Sequence, residues 1–107
     1  MDPLPTIQPD FAASCELDAD GLRAQAERYR RAGEGAELLE RSPRRLAVRL
    51  RDGVDVSDVT EAVAIERDCC PFYEIDWDPD PRELSFAVTR AEHEPALGAI
   101  ADALGLS

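Results

Sequence analysis

Between residues 17 and 33, Leu22, Ala26 and Tyr29 fall on one face of a 3.6-residue period. Asp18 stands ahead of this run as an N-cap, with Leu17 and Leu22 at the two positions of a hydrophobic staple. A helix is predicted to start there and to stop near Gly33. The period then drops to two. Ala36 to Arg41, the turn Ser42-Pro43-Arg44 and Arg45 to Arg51 predict a hairpin. Its second strand points Leu46, Val48 and Leu50 inward and Arg45, Ala47, Arg49 and Arg51 outward.

The same succession returns. Val54-Asp55-Val56-Ser57-Asp58-Val59 repeats the cap and staple 37 residues after Leu17-Asp18. The helix it opens should end at Cys70, because Pro71 disfavours helical backbone in the residue before it. A second hairpin runs from Phe72 to Asp78, through the turn Asp80-Pro81-Arg82, and from Leu84 to Thr89. It places Tyr73, Ile75 and Trp77 on one face with Leu84, Phe86 and Val88. The pattern from Ser42 through Leu50 recurs from Asp80 through Val88, an offset of 38. Pro95 then opens a last helix with Leu97, Ile100, Ala101 and Leu104 on its apolar face.

The predicted fold is therefore α+β: two α-β-β units plus a C-terminal helix, with a four-stranded antiparallel sheet and the helices mainly on one face. The 107 residues suit a single domain, taken as 14–107, behind an extended arm over 1–13 that contains Pro3, Pro5 and Pro9. A hairpin returns the chain to the edge where it began, so the two helices should pack antiparallel. That brings Cys15, ahead of the first cap, to the same end of the domain as Cys69 and Cys70. Their equivalents in the first unit are Ala32 and Gly33, so the cysteines are additions to the repeat.

Composition and charge narrow the function. A hydrophobic content of 44% and a charged content of 33% are those of a globular chain. No apolar run approaches the roughly 20 residues of a membrane span. The first residues lack the basic and apolar regions of a secretory signal, so a cytoplasmic location is expected. A net charge of −11 repels nucleic acid and anionic membranes, and neither is expected as a partner. Every basic residue is arginine, and nine of the twelve lie between Arg23 and Arg51 among only four acids. That stretch is +5 and the remainder −16. The uncovered sheet face then carries Arg45, Arg49 and Arg51 on one strand and Glu74, Asp76 and Asp78 on another. Neighbouring strands would pair these charges within one chain. A homodimer joined through its sheets would pair them between copies and would explain their segregation, so a homodimer is expected.

Candidate chemistry sits in Glu66-Arg67-Asp68-Cys69-Cys70-Pro71-Phe72. On a helical wheel Val56, Val59, Ala62, Val63, Ile65, Cys69 and Cys70 form a broad apolar arc, and Glu66 falls near its centre. A carboxylate there needs a partner: an arginine of the first helix such as Arg30, or thiol and backbone donors. Glu66 also reaches both thiols, being three and four residues before them. A bond between Cys69 and Cys70 themselves would be strained, because adjacent helical side chains diverge by about 100°. Thiolate catalysis is disfavoured at a helix C-terminus beside a carboxylate. The lone His93, expected to be exposed ahead of the last helix, offers no general base. No catalytic residue is assigned, and an enzyme is not expected. Three cysteines also argue against a structural disulfide framework. Three readings stand: Cys15, Cys69 and Cys70, with Glu66, as ligands of a soft metal ion such as zinc; a reversible disulfide from Cys15 to one of the pair; or inert thiols packed as small hydrophobes in a dimeric interaction module.

The combination of Cys15-x-Leu17 with Glu66-Arg67-x-Cys69-Cys70-Pro71-Phe72 and an alternating hairpin resembles a group of small bacterial proteins of unknown function. Similar Glu-Arg-x-Cys-Cys-Pro-Phe segments occur in sequences associated with metal-responsive regulation. The resemblance covers roughly residues 14 to 104. It implies a cysteine-bearing cytoplasmic module and adds weight to the three-thiol readings. No helix-turn-helix precedes the arginine-bearing first helix.

Overall fold

The computed structural model describes residues 18–106; the predicted arm over 1–13 and Cys15 lie outside them. The described chain runs α1 (Ala19–Gly33), β1 (Glu37–Ser42), β2 (Arg45–Arg49), α2 (Val56–Cys69), β3 (Glu74–Asp78), β4 (Glu83–Ala87), a short 3₁₀ turn at Ala91–His93, and α3 (Glu94–Ala103). This is the α+β architecture predicted, two α-β-β units and a closing helix.

Both predicted caps form. The Asp18 carboxylate accepts from the Gly21 amide at 2.7 Å, and the Asp55 carboxylate from Ser57 and Asp58 at 3.0 and 3.2 Å. Each satisfies amide groups that the first helical turn leaves without an intrahelical partner. The ends of α1 and α3 follow from glycine. Gly35, at φ 70°, lies just past the Glu34 C-cap of α1, where a side chain would be strained. Gly105, at φ 81°, ends α3 in a Schellman motif, with Leu106 N–H donating to Ala101 O at 2.9 Å and Gly105 N–H to Asp102 O at 3.0 Å.

The four strands form one antiparallel sheet in the order β1-β2-β4-β3. At its centre Leu46 faces Phe86, Ala47 faces Ser85 and Val48 faces Leu84. Ala47 and Ser85 are 38 residues apart, the offset of the sequence repeat, so a pseudo-two-fold axis passes between them. The two hairpins differ in their turns: Ser42 pairs Arg45 across two residues, whereas Asp78 pairs Glu83 across four. β1 is also irregular between Leu38 and Glu40.

Leu46, Val48, Leu50, Ile75, Leu84, Phe86 and Val88 are buried on the helix side. Phe86 lies at the centre, edge-on to Tyr29 and Tyr73, with ring centroids 6.0 and 5.7 Å away. On the open face the charges pair differently from expectation. β4 separates β2 from β3, so Arg45 reaches Glu40 on β1, and Arg49 bridges Glu37 on β1 and Glu83 on β4. The acids of β3 are not the partners of the β2 arginines. All of these pairs are solvent-exposed and each contributes about 0–1 kcal/mol.

The helices run antiparallel, because contacts descend α2 as they ascend α1. Gln25 meets Ala62 and Glu66, Arg28 meets Glu61, and Arg31 meets Asp58. The C-terminal end of α2 therefore lies beside the N-terminal end of α1. The buried face of α1 centres on Gln25, Tyr29, Ala32 and Gly33, while Leu22 and Ala26 are half-buried. Gly33 admits the close approach of α3: a Cβ there would stand 2.0 Å from the Leu104 carbonyl oxygen.

Two glycine-to-alanine substitutions should therefore move stability in opposite directions. Gly33→Ala drives a methyl into backbone and should cost roughly 1–3 kcal/mol, as core overpacking does. Gly98→Ala, where no atom lies within 4 Å of the added carbon, should gain about 0.5–1 kcal/mol of helix stability. Urea unfolding of the two variants checks the pair, and equal signs would contradict the packing of α1 on α3.

Candidate functional site

The last turn of α2 holds Glu66, Cys69 and Cys70 together, with 1%, 9% and 0% of their surfaces exposed. Cys70 caps the helix, its amide donating to Glu66 O at 2.8 Å. Two hydrogen bonds fix α2 against the sheet edge, the first of them at this turn. Arg67 Nη2 donates to Ile75 O at 2.7 Å, and Trp77 Nε1 donates to Thr60 Oγ1 at 3.0 Å. The chain leaving the site is held by α3: Tyr73 OH donates to Ala96 O at 2.7 Å, and Phe72 stacks on His93 at 4.2 Å. His93, expected to be exposed, is three-quarters covered because Phe72 lies against its ring.

Glu66 is buried, as its place on the wheel required, but no arginine holds it. Arg30 instead bridges Glu27 and Glu34 on the surface of α1. The carboxylate partners come from the buried face of α1. Tyr29 OH donates to Glu66 Oε1 at 3.0 Å, and Gln25 Nε2 donates to the same oxygen at 3.2 Å and to Ala62 O at 2.8 Å. Gln25 is 1% exposed and was missed as a site residue. The available signal was its spacing: it lies one helical turn before Tyr29, on the face opposite Glu66.

The second carboxylate oxygen, Oε2, is buried and accepts no hydrogen bond of ordinary geometry. The Cys70 thiol lies against this carboxylate. Burial first, then the charge of Glu66 and a loose hydrogen bond to it, push the thiol far above its usual range. The Tyr29 phenol is also raised well above its ordinary value, by burial and then by the charge of Glu66 and the hydrogen bond to it. Both groups therefore stay protonated, and Cys70 is not an activated nucleophile.

The two cysteines differ in state. Cys70 is a buried thiol, whereas Cys69 is disulfide-bonded. Their sulfurs are 3.8 Å apart, well beyond the roughly 2.05 Å of a covalent S–S bond. Cys15, the third expected member, lies outside the described residues. Among the described residues no three His, Cys, Asp or Glu side chains are placed to hold a metal ion, and in this form the Cys69 sulfur is committed elsewhere. No described helix is long and apolar enough to cross a membrane. No protein-family model matches the chain, and no curated protein or solved structure matches it.

The raised Cys70 thiol carries a pH signature. An unfolded thiol loses its proton near pH 8.5, whereas the folded one keeps it, so above about pH 8.5 the folded state binds more protons. The stabilisation is complete below that pH and is lost as pH rises, by at most about 1.4 kcal/mol per pH unit. Tyr29 adds a second decline above about pH 10. Urea unfolding of the non-reduced protein between pH 7.5 and about 9.5 should show the first decline. It should be absent in Cys70→Ala; an equal decline in that variant would assign it elsewhere.

Proposed function

We propose that the end of α2 is a thiol-disulfide switch in a small, cytoplasmic, non-enzymatic protein. Cys69 pairs reversibly with Cys15, and Cys70 remains a shielded thiol. One observation carries this reading: Cys69 is in a disulfide while its neighbour Cys70 is a buried thiol. With three cysteines in the sequence, Cys15 is the remaining partner within the chain. The antiparallel helices support it, because the end of α2 lies beside the start of α1, whose Asp18 cap is three residues after Cys15.

Closing the bond removes two protons and two electrons from the Cys15 and Cys69 thiols. Hydrogen peroxide accepts them and leaves as two molecules of water, and a dithiol reverses the step. Cys70 does not compete, since its protonated sulfur is a poor nucleophile beside Glu66. The switch couples the redox state of the solution to whether the segment before α1 is tied to α2.

Peptide mapping without reduction, before and after peroxide, tests the assignment. The expected product is a Cys15–Cys69 link that mild dithiol reopens in the folded protein, with Cys70 alkylated only after denaturation. A folded protein whose three thiols neither link nor react would instead support the interaction module with inert cysteines.

A second reading concerns assembly, and one observation favours it. Leu38 and Leu39, 47% and 39% exposed, are the large apolar side chains left uncovered among the described residues, and both lie on edge strand β1. This edge belongs to the arginine-rich stretch, where a second copy of a −11 chain meets least repulsion. A homodimer through β1 would cover both leucines. Sedimentation at micromolar concentration should show a dimer that Leu38→Glu with Leu39→Glu converts to monomer; a wild-type monomer at low and high salt would refute it.

A further inference from the structure

We infer that the open face of the sheet binds a linear aliphatic polyamine, in a groove floored by Ala47 and Ser85 and walled by acids of β3. The register builds the groove. Glu40, Ala47, Ser85 and Asp76 form one row across β1, β2, β4 and β3. The two middle positions carry small side chains, and the longer ones of the edge strands stand on either side. β1 shifts register between Leu38 and Glu40, and Leu39 at that bulge joins the wall opposite β3. The result is a cavity of about 200 Å³.

Ser85 supplies the observation that points to a ligand. It lies between Leu84 and Phe86, whose side chains enter the core, so its own turns to the open face. Although it lies on the face away from the core, Ser85 is only 8% exposed. Its hydroxyl makes no hydrogen bond among the described residues. Buried hydroxyls ordinarily have a partner, and this one can accept from an N–H that enters the groove.

The charge of the walls selects a cation. Asp76 stands opposite Ser85 and forms no ion pair among the described residues, and Asp78 also lines the groove. Arg45 on the other wall is held by Glu40 at 2.7 Å, which leaves the acids of β3 in excess. Among the described residues no three acids are placed to hold a metal ion, which favours an extended organic cation. Glu74, Asp76 and Asp78 repeat along one strand face at intervals of about 7 Å. Ammonium groups linked by short methylene chains repeat at a similar interval, and Leu39 and Ala47 offer the methylenes an apolar surface. A peptide backbone fits less well. β2 and β4 are the central strands, so their amides and carbonyls are already paired on both sides.

Isothermal titration calorimetry of the full chain with spermidine at low salt is the test, and amide NMR shifts locate the site. One saturable equivalent per chain is expected, with the largest shifts at Ala47, Ser85 and Asp76. Asp76→Asn should weaken binding about tenfold, as loss of a charged hydrogen-bond partner does. Ser85→Leu should fill the floor and abolish binding. If that variant fails to fold, Asp76→Arg, at an exposed position, should abolish it instead. Glu92→Gln, which removes an acid outside the groove, should bind as wild type does. Absence of binding overturns the inference, and so does unchanged affinity in both Asp76 variants. Shifts spread evenly over the acidic surface, or a lysine-rich peptide that outcompetes spermidine at this face, overturn it as well.

Discussion

A carboxylate buried between two helices sets the terms for this end of the molecule. Glu66 leaves water and recovers part of that cost from two donors, Tyr29 OH and Gln25 Nε2, both on α1. Because both donors come from the other helix, the contact specifies how α1 and α2 register, which apolar packing alone would leave loose. Tyr29 then reaches the core through its ring, edge-on to Phe86. One carboxylate thus links the cysteine turn, the first helix and the centre of the sheet. The carboxylate lies against the Cys70 thiol, where the chemistry is proposed.

The scaffold beneath is nearly symmetric, and its chemistry is not. The sheet has a pseudo-two-fold axis between Ala47 and Ser85, and the two helices start with equivalent aspartate caps. α3 breaks the symmetry by meeting the helix units differently at its two ends. At its C-terminal end Gly33 admits the Leu104 carbonyl, and at its N-terminal end Ala96 O takes the Tyr73 hydroxyl. The first contact requires a residue without a side chain. The second follows the turn that carries the two buried cysteines. The equivalent positions carry Ala32 and Gly33 in the first unit and Cys69 and Cys70 in the second.

Charge follows the topology. The arginines of β2 lie between glutamates on both neighbouring strands, so the basic stretch is neutralised locally. The excess acid collects on β3 and around it, which makes the β3 edge a poor place for another strand to add. The β1 edge carries neither that field nor full polar cover, since Leu38 and Leu39 stand open on it.

The elements were legible in the chain, because each rests on interactions within a few residues. The caps at Asp18 and Asp55, the stop before Pro71, the alternation of Leu46, Val48 and Leu50, and the 38-residue repeat are local or periodic signals. The burial of Glu66 was legible for the same reason, as a phase on one wheel. Its partners were not. Gln25, and not Arg30, faces Glu66 because the depth and rotation of α1 are set by packing Tyr29, Ala32 and Gly33 against α2, the sheet and α3. Strand order likewise belongs to the tertiary structure. Placing β4 between β2 and β3 decides which charges can touch, and no local signal encodes it. His93 shows the same limit, since its cover is a ring from Phe72, 21 residues away in sequence and brought to it only by the fold.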